Sequence, residues 1–497
     1  MNRNPARSFL DRARGMFGRY IAAESTTQRR DPGTNIKTSD DILDTTKRRR
    51  AIEGARELWR NYSVASWAIR KHLDFVSTFT FQAGTEDPAF NEQLEKLIRW
   101  WSRPLNCDVA NRHSLRRMIR IAEARRVIDG DLFLVKVAGK LQAVEGDRVQ
   151  NPPTVNAGDN WVHGLDIGPG GRLRKVAVFQ RVKDGRYQFE RSVSAGNVMQ
   201  LAYFDSFDQY RGVSPLVSAI PEFQDCLEVK DYARAKAKIT QLFALAITRG
   251  MADSDDDTED EDETGAPRYQ LDLGRGPVKV ELDPGDEMNF LESKHPSTEF
   301  QAFLTMCLQS ALKSLDIPWS FYDEAYTNFF GSRAALIMYL KSVKSKREDL
   351  KEILDRITVW KIMQWIAMGA LTLPAGKTID DIHWDWIPSG MPWWNPKDEV
   401  AGDVLAIANK LRTRSEIRRE RYGDDWRDVV RKLHEEDEFL LSMGMDPATT
   451  ATQPAGVPAP AETQETASES DEERTGMEDE EDTVTETEDD SEDSIDA

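Results

Sequence analysis

Between Ser332 and Gly369 the chain has no proline and no internal glycine, and Leu336, Leu340, Val343, Leu350, Leu354 and Ile357 recur on a helical period. The spacing predicts one very long helix, well beyond the three or four turns usual in a globular domain. A second such stretch covers 214–248. Ser214 is a good N-cap, Pro215 occupies the first helical position, and Pro221 is expected to kink or restart the helix. From Pro221 to Thr248 it would span ~40 Å at 1.5 Å per residue. Leu227, Ile239, Leu242 and Phe243 lie on several of its faces, with small Ala233, Ala235, Ala237 and Ala244 between them. A helix so mixed all round is seldom buried in a monomer. It suits close packing beside copies of itself, with a polar strip left open.

Both stretches carry positive charge. Lys230, Arg234 and Lys238 stand at i, i+4 and i+8, a single stripe, with Lys236 off that row. The stripe can face a polyanion, or it can pair with Glu228 and Asp231 on an ordinary surface. The long helix sets Lys341, Lys344, Lys346, Arg347 and Lys351 against its apolar positions. Those cations can meet phosphate without regard to base sequence, or pair with Glu348, Asp349 and Glu352.

The remaining segments divide by period. Helices are expected over 46–78, with a break at Asn61-Tyr62-Ser63, and over 88–101 and 112–128. Then the period becomes two. Asp131–Val137, Leu141–Val144, Leu173–Phe179 and Val198–Tyr203 read as strands, so a helical part packs with a small β unit, an α+β arrangement. Short strands follow at Tyr269–Leu273, Val278–Leu282 and Met288–Leu291, then a helix over 297–315 stopped by Pro318, an aromatic segment to Gly331, and a last helical unit over 397–443.

Charge is segregated. Of the net −20, residues 461–497 carry −17 and residues 252–264 carry −9, which leaves the rest of the chain near +6. The acidity belongs to a loop and a solvated, disordered tail, and the folded body is mildly basic, so the overall charge does not argue against a nucleic-acid partner. The three cysteines, Cys107, Cys226 and Cys307, form no CxxC pair and suggest neither zinc nor a disulfide framework. The basic start leads into no apolar h-region, and no 18-residue apolar run exists, so neither a signal peptide nor a membrane span is expected.

Motifs for catalysis are weak. There is no P-loop, GxGxxG after a strand, HExxH or GxSxG, and the six histidines do not cluster with a nucleophile. Asp381, His383 and Asp385 could share one side of a strand as a two-carboxylate, one-histidine metal site, but a Trp-rich strand with a polar face explains them as well. Asp253–Glu263 lacks the central glycine and ligand spacing of a calcium loop. No cofactor, no metal and no enzymatic activity are expected.

The order of parts resembles the lambda-type family of tailed-phage portal proteins. The residues that carry the resemblance are Tyr210-Arg211-Gly212-Val213-Ser214-Pro215-Leu216 opening one long helix, Ile317-Pro318-Trp319 ending another, and Asn328-Phe329-Phe330-Gly331-Ser332-Arg333-Ala334-Ala335 opening the longest. Trp393-Trp394-Asn395-Pro396-Lys397-Asp398-Glu399, Ser415-Glu416-Ile417 and Tyr422-Gly423-Asp424-Asp425 follow in order. The resemblance runs over roughly 45–445 and implies a portal-like subunit: a flexible basic arm (1–45), an α+β wing (46–213), a first stem helix (214–248), and a β-containing clip with its acidic loop (249–296). It continues with a second stem helix (297–317), a tunnel loop (318–331), a long wing helix with a β segment (332–390) and a helical crown (391–445). The disordered acidic tail (446–497) completes the chain.

Such a subunit implies a ring homo-oligomer, dodecameric in the family, that forms a DNA channel at one capsid vertex. Its expected partners are double-stranded DNA held non-specifically, the terminase large subunit, major capsid or scaffold protein, and head–tail adaptor proteins; no membrane is expected. It would reside in the virion, and in host cytoplasm during assembly. The expected channel-facing residues are Lys230, Arg234 and Lys238, the aromatic loop residues Trp319, Phe321, Tyr322, Tyr326, Phe329 and Phe330, and Lys341 and Lys344. The rival readings are a metal-dependent DNA-processing enzyme and another structural adaptor of a large viral assembly.

Overall fold

The first long helix begins where Asp44 caps it, its carboxylate accepting from Thr46 N at 3.0 Å and Lys47 N at 2.9 Å. In this computed structural model the described residues are 37–156, 158–242, 245–249, 286–290, 298–323, 329–391 and 395–447. The arm to residue 36, the acidic loop, the expected strands Tyr269–Leu273 and Val278–Leu282, and the tail from 448 lie outside them. The chain divides into two units, 1–430 and 431–497.

Helix α1 (Thr45–Asn61) stops at Tyr62, whose extended backbone (φ −114°) separates it from α2 (Ser63–Val76), the break that the sequence predicts. Strand β1 (Phe79–Ala83) follows, then α3 (Pro88–Trp101), capped by Asp87 with Pro88 in its first turn. Phe90, Leu94, Ile98 and Trp101 form the buried face of α3, at spacings of four, four and three. Ser114 caps α4 (Leu115–Asp129), which ends at Gly130 in a left-handed conformation (φ +94°).

Gly130 turns the chain directly into β2 (Asp131–Val137), the centre of a three-stranded antiparallel sheet with β3 (Lys140–Glu145) and β8 (Val198–Ala202). A second sheet has the order β4 (Trp161–Val162), β5 (Leu165–Ile167), β6 (Leu173–Arg181), β7 (Tyr187–Ser194). The near-continuous apolar run of β2 follows from its position. Leu132 and Leu134 enter the helical core, while Phe133 and Val135 meet Leu165, Val176 and Val178 of the second sheet. This part of the body is therefore three layers, helices on a sheet on a sheet, and the α+β class holds.

Ser214 caps a 3-10 turn (Pro215–Ala219) that passes into α5 (Ile220–Leu242), so Pro221 sits in the first α turn, where no N–H partner is lost. Residues 214–248 do not form one helix as expected. α5 stops at Leu242, and β9 (Leu245–Arg249) pairs antiparallel with β10 (Asp286–Phe290). The run Leu245-Ala-Ile-Thr contains two β-branched residues and finds Met288 opposite Ile247. Helix α6 (Thr298–Lys313) leads back to the body.

The longest helix, α7 (Phe329–Ala367), has 39 residues, about 58 Å at the standard rise. It starts one turn before the expected Ser332. Tyr339, Val343, Leu350, Ile353, Leu354, Ile357, Ile362 and Trp365 sink into the same core as α2, α3 and α4. Strand β11 (Trp384–Pro388) pairs with β1, placing Phe81 opposite Trp386. Two short helices, α8 (Pro396–Ala408) and α9 (Arg414–Arg421), follow, and α10 (Trp426–Ser442) carries the chain into the second unit.

Candidate functional site

The junction between the layered body and α5 is built on a buried arginine. Arg211 is 1% exposed. Its Nε and Nη2 donate to the two carboxylate oxygens of Asp131, Nη2 also to Gly146 O at 2.7 Å, and Nη1 to Val149 O at 3.0 Å and His163 O. A guanidinium so surrounded has its donors satisfied, which is the condition for burying it. Gly212 N donates to the same carboxylate at 3.2 Å, and a Cβ at Gly212 would stand 2.1 Å from Gly130 O, so only glycine fits there. Ser214 Oγ donates to Val127 O at 2.6 Å while accepting from Leu216 N. Arg48, also buried, donates to Gly212 O and Asp40, and Asp40 accepts from Tyr210 N. The segment Tyr210–Leu216 is thus a clamp that fixes the origin of α5. The sequence signal was present: an aspartate opening the buried strand Asp131–Val137 requires a cationic partner.

Beyond the clamp, α5 and α6 rise side by side. Phe223 and Cys226 of α5 pack with Cys307, Leu308 and Ala311 of α6 against Leu58, Tyr62 and Ala65. Farther along, Tyr232 on α5 and Phe303 and Met306 on α6 are exposed. The basic stripe divides here. Lys230 is half-buried with Nζ 5.8 Å from the Tyr62 ring centroid, Arg234 is exposed with Asp231 at 3.4 Å, and the side chain of Lys238 lies outside the described residues. Glu228 makes no ion pair with the stripe among the described residues.

The aromatic turn after Pro318 lies against the body. Trp319 and Tyr322 contact each other at 4.9 Å, Tyr322 meets Trp67 at 5.7 Å, and Phe321 packs between Phe75 and Tyr339. Trp319 and Phe321 are therefore spent on packing, while Tyr322 keeps an exposed edge. Tyr326 and the side chain of Phe329 fall outside the described residues, and Phe330, on the first turn of α7, is exposed. Lys341 and Lys344 are exposed on α7, and neither makes an ion pair among the described residues. Lys344 borders a cleft of about 1000 Å³ between α7, β11 and α9 that also holds Leu336, Ile337, Arg347 and Ile387. Lys346 and Lys351, by contrast, pair with Asp316 at 2.8 Å and Asp385 at 3.0 Å.

Under these surfaces runs a buried polar relay. His72 Nε2 lies 2.7 Å from Glu123 Oε1, Glu123 accepts from Arg126, and Arg126 Nη1 donates to Asp349 of α7 at 2.7 Å. Arg126 also stacks 4.2 Å from the Tyr203 ring. Burial pushes the imidazole below its usual range and so favours the neutral ring, and Nδ1 has no hydrogen-bond partner among the described residues. Burial would raise Glu123, but Arg126 and the His72 hydrogen bond outweigh it and hold the carboxyl down at about 2.

The proposed trio Asp381, His383 and Asp385 does not converge. β11 begins only at Trp384; the Asp381 carboxylate accepts from Thr378 N and Oγ1 in a 3-10 turn, and Asp385 faces Lys351 and Arg419. A different carboxylate group, Asp129, Glu145 and Asp147, does come together within 4.8 Å. A guanidinium already stands among them: Arg56 Nη2 is 2.7, 3.3 and 2.9 Å from the three, and Arg181 binds Asp147 and Glu145 from outside. The charge that a cation would neutralise is met by arginine.

The sequence profile described as phage portal protein, lambda family, matches residues 27–347, about two thirds of the chain. The chain belongs to the lambda family of phage portal proteins. It serves as a portal, the connector of a phage particle, in a family that is structural. The matched span takes in the clamp, α5, α6 and the first half of α7. Over 420 residues this portal subunit is 23% identical to a probable portal protein of Halomonas phage phiHAP-1, covering 75% of this chain and 76% of that one. Among solved structures it resembles a chain in the neck of an empty gene transfer agent particle, at 14% identity and TM-score 0.43, over 73% of this chain and 92% of the other. It also resembles an HK97-family phage portal protein from Corynebacterium diphtheriae, at 12% identity and TM-score 0.25, over 60% and 84%. Among the described residues of this portal subunit no helix is long and apolar enough to cross a membrane.

Proposed function

We propose that copies of this chain close into a ring, dodecameric as in the family, at one capsid vertex, and that double-stranded DNA passes through its centre during packaging and ejection. The observation that carries this reading is the family match over 27–347, which spans wing, stem and the segment between the stem helices. Two features of the structure support it. The stem helices leave Tyr232, Phe303 and Met306 uncovered beyond the wing, which suits neighbours of the same kind. Lys341 and Lys344 are cations without ion-pair partners among the described residues, suited to weak, salt-sensitive contact with sliding phosphate.

In this reading the segment between α5 and α6 is the clip that meets the terminase large subunit and later the head–tail adaptors, the outer wing meets capsid or scaffold protein, and assembly takes place in host cytoplasm. Lys230, Arg234 and Lys238 line either the channel or the contact between subunits. No catalytic step is assigned to the chain. Negative-stain microscopy of the purified protein tests the reading: a ring with an open axial hole is expected, and a stable compact monomer at micromolar concentration would overturn it.

A further inference from the structure

The loop between β8 and the clamp is tied down by hydrogen bonds and carries an uncovered aromatic. Phe207 at its tip is fully exposed and Phe204 half so. Gln209, 5% exposed, ties the loop from within: its Nε2 donates to Tyr203 O at 3.2 Å and Arg211 O at 2.8 Å, and its Oε1 accepts from Asp205 N at 2.9 Å. Tyr210 N is held by Asp40, and Tyr203 N by Gly130 O at 3.1 Å. The ordering cost of this loop is therefore met on folding, which is the condition for an aromatic anchor to bind well. Two exposed aspartates, Asp205 and Asp208, flank Phe207, and neither makes an ion pair among the described residues.

At the opposite end of α4 is the matching shape. Leu115, Ile119, Ile98, Phe79, Phe81 and Trp386 wall a pocket of about 240 Å³. A dry cavity of roughly 150 Å³ accommodates benzene, so this one holds a benzyl side chain with room to spare. Arg99 and Arg116 stand at its rim, both exposed, with no ion pair among the described residues. The carboxylate among the lining residues, Glu95, accepts from Ala83 N at 3.0 Å and also feels the charges of Arg99, Asp425 and Asp428. The pocket lies at the first turn of α4, and the loop is anchored on Gly130 just past its last, about 20 Å away at 1.5 Å per residue.

We infer that Phe207 of one copy inserts into the pocket of the next, with Asp205 and Asp208 against Arg99 and Arg116. A knob and a socket at separated places on one subunit make a head-to-tail contact, and such a contact repeats around a closed ring. The inference rests on the ring reading above and names the wing surfaces that join neighbours.

Charge reversal tests it on the full chain. Asp205→Arg with Asp208→Arg gives a subunit positive at both knob and socket; Arg99→Glu with Arg116→Glu gives one negative at both. Like charges across an interface cost several kcal/mol, so each variant alone is expected to lose about tenfold or more of its ring fraction in sedimentation velocity. An equimolar mixture of the two restores every contact in alternation, and rings return. Separately, Phe207→Cys with Arg116→Cys and a short bismaleimide is expected to give a covalent ladder above the dimer, since the contact is head-to-tail. Rings unaffected by either reversal, or variants that fail to assemble together as well as apart, overturn this contact while wild-type rings leave the portal reading standing. A wild-type chain that does not form rings overturns both.

Discussion

Arg211 shows how a single side chain can define a junction. Its guanidinium is bound by one carboxylate and three carbonyls in a site closed to water, so neither removing it nor shortening it is neutral. Arg211→Met leaves Asp131 charged and buried and is expected to cost about 3–5 kcal/mol, read as a lower midpoint in urea; Arg211→Lys keeps the charge but loses the fork and falls between. His72 gives a pH signature. Its folded-state pKa is held below the ordinary 6.5, so below about pH 6.5 the unfolded chain binds more protons than the folded one. Stability therefore falls as pH drops through that value. Glu123, held at about 2, adds a second loss only as pH falls below its ordinary 4.5. His72→Gln is expected to flatten the decline in melting temperature between pH 7.5 and 5.5; a profile as steep as wild type would assign the acid sensitivity to other groups.

At the scale of elements, α3, β2 and the break between α1 and α2 were legible because each is announced locally: a Pro after a capping Asp, a Gly-Asp turn before an apolar run, an Asn-Tyr-Ser interruption. What sequence reading missed was non-local. β1 was not foreseen because its partner β11 lies far along the chain, and β7 alternates too weakly to signal its place beside β6. The end of α5 was misjudged since Leu245–Arg249 continues an apolar pattern, and only pairing with β10 makes it a strand. The aromatic turn was read from its composition and from the resemblance, neither of which reveals that Phe75 and Tyr339 already hold Phe321. For α5, alanine at Lys230, Arg234 and Lys238 together separates two roles. Rings that persist with altered DNA packaging or retention place the stripe on the channel; loss of rings makes it a subunit contact. Because Lys230 rests on the Tyr62 ring while Arg234 is exposed beside Asp231, Lys230→Ala is expected to cost more stability than Arg234→Ala.

At the scale of the whole molecule, the charge division matters most. With −17 carried by residues 461–497, deletion of 451–497 brings the net charge close to neutral and removes no apolar periodicity, so assembly is expected to survive. Sedimentation velocity of the truncated protein checks this, and a failure to form rings would mean that the tail takes part in closure. DNA retention by intact rings should weaken steadily with added salt, as expected for lysine–phosphate contacts without base readout.

The β1–β11 ladder bears on what happens when the chain is cut. It brings residues 79–83 beside 384–388, and α5 against α6, so a covalent break anywhere in the acidic loop would separate two fragments that are already interlocked at both the body and the stem. Protease nicking at Asp253–Glu263 should therefore yield two bands on a denaturing gel and one species in solution, and the two halves, made as separate polypeptides, should complement each other.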